Sequence, residues 1–141
     1  MRLPITAVRM AMLVLGLSAF SETSVAQRNP RKIKDVRPVY PPESLRVGDE
    51  AAILLELNVN VSGMVQDARI LWSGCQRLDR AALTAVQQWR YEEVLVNGKP
   101  TPFKVVANIP FRLPPQFKSR AGRPGACKWK EPPKPITAQS N

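Results

Sequence analysis

At 141 residues the chain is one domain's worth, with room for a single modest core, and it carries a net charge of +10. It contains no histidine, which removes Ser-His-Asp and Cys-His nucleophilic arrangements and every His-bearing metal site, and its two cysteines cannot make a four-thiolate zinc site. The eleven carboxylates are scattered, with no pair whose spacing and flanks mark an acid/base couple, so the composition points away from an enzyme, a metal centre or a cofactor.

From the N-terminus, basic Arg2 and Arg9 precede an apolar run from Met10 to Phe20 and a small-x-small site, Ser24-Val25-Ala26. This is the three-part layout of a secretory signal peptide over residues 1–26, so cleavage before Gln27 and export are expected. The apolar run is about half the ~20 residues a spanning helix needs, which favours cleavage over an inner-membrane anchor. Gln27 to Asp35 reads as a flexible basic lead-in, and Tyr40-Pro41-Pro42-Glu43-Ser44-Leu45 as an extended residue entering one turn of helix. The fourteen prolines crowd the two flanks of the chain, leaving its middle to fold.

From Ala51 to Val61 apolar residues alternate, with Glu56, Asn58 and Asn60 on the opposite face, the period-2 pattern of a half-buried strand. Asn60-Val61-Ser62-Gly63 supplies a hairpin turn, with Gly63 able to take positive φ. Met64 to Trp72 returns as a second strand with Val65, Ala68, Ile70 and Leu71 as its core contributors. Asp79 is the expected N-cap of a helix, with Leu78 stapling onto Leu83, and Ala82, Ala85, Val86 and Trp89 recur at helical spacing. In Trp89-Arg90-Tyr91 the favoured roles are a core plug for Trp89, a cap on the sheet edge for Tyr91 and an aromatic face beneath Arg90, rather than a stacking surface for a partner.

Asn97-Gly98-Lys99-Pro100 forms the next turn, and Phe103, Val105, Ala107, Ile109, Phe111 and Leu113 alternate as a third strand. Pro110 cannot donate to a ladder, so this strand is expected at an edge, where it is an open template for another chain. Residues 114–141 form a proline-rich basic tail, expected to be largely irregular, whose charge could contact anionic lipid or cell-wall polymers or could simply keep the segment solvated; nucleic acid is not an expected target for an exported chain. Cys75 and Cys127 allow one intramolecular disulfide, which would close a loop of roughly 50 residues and stabilise the fold by ~4 kcal/mol in the chain-entropy model. Two free thiols or an intermolecular bridge are the alternatives.

Laid end to end, these pieces resemble the C-terminal domain of the TonB energy-transducer family over residues 36–113. The matching motifs are Tyr40-Pro41, Gly63-Met64-Val65, Ile70-Leu71-Trp72-Ser73-Gly74, Leu78-Asp79-Arg80-Ala81-Ala82-Leu83, Trp89-Arg90-Tyr91, Asn97-Gly98-Lys99-Pro100 and Ile109-Pro110-Phe111-Arg112-Leu113, in the family's order. The resemblance implies an α+β fold, a three-stranded antiparallel sheet packed against one main helix, flanked here by irregular basic tails. It also implies a periplasmic module that docks the TonB box of an outer-membrane transporter alongside its last strand, by strand addition. The residues expected to carry this are Phe103, Lys104, Val105, Val106, Ala107 and Asn108, with Tyr40 and Arg90 at the rim. The chain departs from the family in having Arg37-Pro38-Val39 before Tyr-Pro, Ala51 at the start of the first strand, and Glu92-Glu93-Val94 after the tryptophan motif. The alternative reading is an envelope structural protein that dimerises through the same edge or lies against the cell wall through its basic tail.

Overall fold

The computed structural model describes residues 30–134, so the expected signal peptide over residues 1–26, its cleavage site and the last seven residues of the tail lie outside the described residues. In chain order the elements are β1 (Lys32–Lys34), α1 (Pro42–Val47), β2 (Ala51–Val59), β3 (Val65–Ser73), α2 (Gln76–Val86), β4 (Arg90–Tyr91), β5 (Leu95–Val96), β6 (Lys99–Pro100) and β7 (Phe103–Phe111), followed by a 3-10 turn over Pro115–Arg120. No helix among the described residues is long and apolar enough to cross a membrane.

The core is an antiparallel sheet in the order β3-β2-β7, with α2 packed across β3 and β2. Strand alternation puts Ile53, Leu55, Leu57 and Val59 of β2 on the helix side, where Leu78, Ala82 and Val86 of α2 and Ala107, Ile109 and Phe111 of β7 meet them. The β2–β3 hairpin closes as its sequence requires. Asn60 Oδ1 accepts the amides of Ser62 at 3.0 Å and Met64 at 2.9 Å, and Gly63 turns through φ +77°. A Cβ at Gly63 would stand 1.9 Å from the Tyr91 carbonyl oxygen, so glycine is demanded there by close approach as well as by φ.

Helix α2 begins three residues before the expected cap. Cys75 is the N-cap, and Asp79 lies inside the first turn, where its Oδ1 accepts the Ser73 hydroxyl at 2.5 Å. Ser73 Oγ in turn accepts the Cys75 amide at 3.2 Å, so the entry is organised by a serine upstream of the helix. The early start carries Leu78 into the helix, fully buried on the core-facing stripe with Ala82, Ala85 and Val86, and the expected Leu78–Leu83 staple, which needs Leu78 outside the helix, gives way to this packing. The helix ends at Val86, and the buried Trp89 follows it by three residues, its indole N–H donating to the Val36 carbonyl at 2.9 Å.

Register explains a second difference. Pairing of β2 with β7 runs without interruption from Ala51 opposite Phe111 to Val59 opposite Phe103. Pairing of β2 with β3 slips between Leu54 and Leu55, where Trp72 and Ile70 are successive partners and Leu71 has none. Leu71, expected in the core, is therefore 42% exposed, while Val65, Ala68 and Ile70 pack where they were expected.

Both flanks of the sheet are held more firmly than their composition implies. The lead-in, expected to be flexible, pairs Lys32–Lys34 with Arg90–Tyr91, and Glu92 donates its amide to the Arg31 carbonyl. Lys32 Nζ sits 3.4 Å from the Trp89 ring centroid, so the cation on an aromatic face is Lys32, whereas Arg90 Nη1 donates to the Trp89 carbonyl at 2.8 Å. Beyond Leu113 the tail has little regular structure apart from its 3-10 turn, yet it returns to the sheet. Cys127 is disulfide-bonded to Cys75, and its carbonyl accepts the Glu50 amide at 2.9 Å. The Arg112 guanidinium lies 3.2 Å from the Trp129 ring centroid. This return passes the end of β2 where Ala52 and Leu54, on the face away from α2, are buried.

A candidate peptide-docking edge

Strand β7 has β2 on one side and no strand on the other among the described residues. In an antiparallel pair every second residue turns its N–H and C=O away from the neighbour, so the free side of Phe103–Phe111 is a row of unpaired main-chain groups, interrupted at Pro110, which has no N–H. Among the described residues the tail meets the end of this strand at Arg112, one residue beyond it, where the guanidinium lies over Trp129.

Side chains divide by face. Phe103 and Val105, half-buried, and Ala107, buried, point into the core, while Lys104, Val106 and Asn108 are exposed on the outer face. Val106, 43% exposed, is an apolar side chain in the middle of that row. Lys104 Nζ reaches Glu56 Oε1 on β2 at 3.3 Å, and Arg69 on β3 reaches the same oxygen at 3.1 Å. One carboxylate thus faces two cations, and the outer face beside β7 stays basic.

The two rim residues sit at opposite ends. Tyr40 lies edge-on to Phe111 with centroids 5.5 Å apart, and its hydroxyl donates to the Asp49 carbonyl. Burial first, then the Glu50 and Asp49 charges, push the Tyr40 hydroxyl up to about 12. Arg90 stands at the other end, where the adjacent Tyr91 lies edge-on to Phe103 with centroids 5.9 Å apart. Arg90 is bridged to Met64 through the backbone and its guanidinium is tied to the Trp89 carbonyl, so it braces that end of the sheet. The structure therefore groups Phe103 to Asn108 as one continuous edge, with Tyr40 and Arg90 bracketing it.

Two features near this edge were not anticipated from sequence. A short hairpin, β5 and β6, projects just before β7, with Asn97 and Gly98 both at positive φ and Leu95 and Val96 exposed. Its signal was the Asn-Gly pair directly after Leu95-Val96, which marks a hairpin as well as a turn. At the other end of the sheet a buried carboxylate is paired with a partly exposed arginine. Asp49, with no exposed surface, accepts from Arg77 Nε at 2.8 Å and Nη2 at 2.6 Å, and from the Cys127 amide at 2.8 Å. Burial alone would raise the Asp49 carboxyl, but the Arg77 bonds and the Cys127 amide outweigh it and hold the group below the ordinary carboxylate value. Glu50 is held low in the same sense, burial being outweighed by Lys118 at 2.6 Å and the Leu113 amide at 2.9 Å.

Residues 36–113 match the family model described as the Gram-negative bacterial TonB protein C-terminal, more than half of the chain. The chain belongs to the TonB C-terminal family. Among curated proteins it is similar to Protein TonB of Xanthomonas campestris pv. campestris, with 32% identity over 77 residues covering 54% of this chain and 34% of that one. It is also similar to Protein TonB of Vibrio cholerae serotype O1, with 28% identity over 79 residues covering 55% and 32%. The chain thus spans about a third of the length of these TonB relatives. The fold agrees with the solution NMR structure of the Pseudomonas aeruginosa TonB CTD at a TM-score of 0.53 and 22% identity, over 63% of this chain and 91% of that one. The α+β arrangement expected from the resemblance, a three-stranded antiparallel sheet on one main helix, is the TonB C-terminal fold seen here.

Proposed function

We propose that this chain is a periplasmic TonB C-terminal-like binding module, associated with TonB-dependent transport, that captures an extended peptide by adding it as a strand alongside β7. The partner is the TonB box of an outer-membrane transporter or a similar segment of another envelope protein. The observation that carries this reading is that, among the described residues, β7 is paired on one side only, over nine residues, in a chain of the TonB C-terminal family. Main-chain groups supply affinity along such an edge, and alternate side chains supply selectivity. A peptide lying there has one face beside Lys104, Val106 and Asn108 and the other toward the rims at Phe103 and Phe111.

The test is titration of a TonB-box peptide into the isotopically labelled chain. Amide shifts concentrated at residues 103–108 are expected, and unchanged signals there remove the reading. Sedimentation at several concentrations separates the competing envelope role, since a stable symmetric dimer with no peptide affinity means that the same edge serves self-association.

A further inference from the structure

The disulfide lies outside the family pattern, because Cys127 belongs to the tail beyond the matched residues 36–113. Its two halves are placed differently. Cys75 is buried and is the N-cap of α2, so its Sγ stands at a helix start whose first-turn N–H groups favour a negative charge. Cys127 is half-buried, beside a depression of about 360 Å³ lined by Ser73, Gly74, Gln76, Arg77 and the two cysteines. Arg77 Nη2 is 3.7 Å from Cys127 Sγ, and among the described residues no carboxylate lines the depression. Arg77 is paired with Asp49, but the Asp49 side chain is wholly covered while that of Arg77 is 40% exposed, so the pair turns its cation to solvent. A thiolate entering the depression meets a guanidinium and the sulfur of the less buried cysteine.

We infer that the bridge between Cys75 and Cys127 is a thiol–disulfide exchange site, opened in the folded chain by the dithiol of a protein oxidoreductase, which unlatches the tail. The attacking thiolate bonds to Cys127 Sγ, the bond between the two cysteines breaks, and its electron pair leaves on Cys75 Sγ as a thiolate held at the α2 N-terminus. The second thiolate of the dithiol then displaces Cys127, which leaves as a thiolate in turn. The dithiol is oxidised to a disulfide, and its two protons pass to Cys75 and Cys127. A purely structural bridge needs neither an opening beside it nor a leaving sulfur stabilised at a helix start. The non-covalent seat of the tail survives the exchange, since Asp49 still holds Arg77 and accepts the Cys127 amide at 2.8 Å, while Arg77 donates to the Gly125 carbonyl at 2.8 Å. These bonds return Cys127 to Cys75, so the exchange is reversible. Reduction leaves the tail, and the Glu50 amide that bonds the Cys127 carbonyl, held by such contacts alone. The inference stands without the reading of the β7 edge.

The test uses the full, folded chain and a reduced thioredoxin-type probe in which the second cysteine of the Cys-x-x-Cys pair is serine. The probe should be trapped as a mixed disulfide, and peptide mass spectrometry should place it on Cys127. Two small thiols test the cation, each rate being divided by that thiol's rate with an uncharged small disulfide. Anionic thioglycolate should then reduce the bridge about tenfold faster than cationic cysteamine, a preference that R77Q abolishes and R77K retains. After reduction and reoxidation the chain should regain its starting amide spectrum. Should R77Q fail to fold, trapping on the native chain decides. An adduct on Cys75, no adduct on the folded chain, or reduction that proceeds only at the rate of global unfolding and rises with urea overturns the inference. So does a thioglycolate preference that is absent from the native chain or unchanged in R77Q.

Discussion

Asp49 joins three parts of the chain: its carboxylate binds the first turn of α2 through Arg77 and the returning tail through the Cys127 amide, and its own carbonyl accepts the Tyr40 hydroxyl. Removing one member of such a pair leaves a charge without compensation, although Arg77 is itself 40% exposed, so R77M is expected to lower unfolding stability by about 2 kcal/mol, less than a fully buried pair would lose, as read from urea midpoints. The pH dependence follows from the depressed Asp49 and Glu50 carboxyls. A carboxyl that is more acidic in the folded state contributes stability that is complete above the unfolded value, about 4, and is lost as pH falls through the folded one. Acid unfolding should therefore steepen below about pH 4, and D49N should flatten the slope, measured by circular dichroism across pH. Tyr40 has the opposite sign. Its pKa is raised to about 12 from 10.0, so its contribution is present below pH 10 and lost as pH rises through the folded value, and Y40F should remove that part of the alkaline loss.

At the scale of elements, α2 and the two hairpin strands show how packing selects among locally acceptable patterns. Asp79 is a sound N-cap by residue type, but a start there would leave Leu78 outside the helix; the observed start buries it completely against β2. L78A is accordingly expected to cost about 2–5 kcal/mol, whereas L71A, at the slip in β3, should cost no more than ~0.5 kcal/mol. Urea unfolding of both variants checks the register, and equal losses would mean that Leu71 is buried after all. The edge residues Phe103 to Asn108 were legible because alternation together with Pro110 marks a strand that cannot sit in the middle of a sheet. The brackets at its ends were less so, since Tyr40 and Arg90 are placed by aromatic packing and carbonyl contacts that no local spacing encodes.

Over the whole molecule, the family-matched core of residues 36–113 is extended by flanks that bond back to it. The disulfide joins residues 52 apart and holds the tail against the start of β2. C127S should lose about 4 kcal/mol of stability in the chain-entropy model, with the Glu50 amide exchanging faster as its acceptor leaves. Denaturant titration with and without a dithiol reductant, combined with hydrogen exchange, measures both effects. If reduction left stability and exchange unchanged, the tail would not be part of the cooperative unit.

Period-2 alternation in the strands, the glycine at 63, the apolar stripe of α2 and the edge character of β7 depend on neighbours a few residues apart, and the sequence by itself determined them. Tertiary structure decided the helix start, the exposure of Leu71, the docking of the lead-in and the return of the tail. Those outcomes rest on contacts such as Arg77 to Asp49, Trp89 to Val36 and Cys127 to Asp49, which lie 28, 53 and 78 residues apart. Contacts of that separation leave no periodicity in the chain, and they form only once the sheet has brought their partners together.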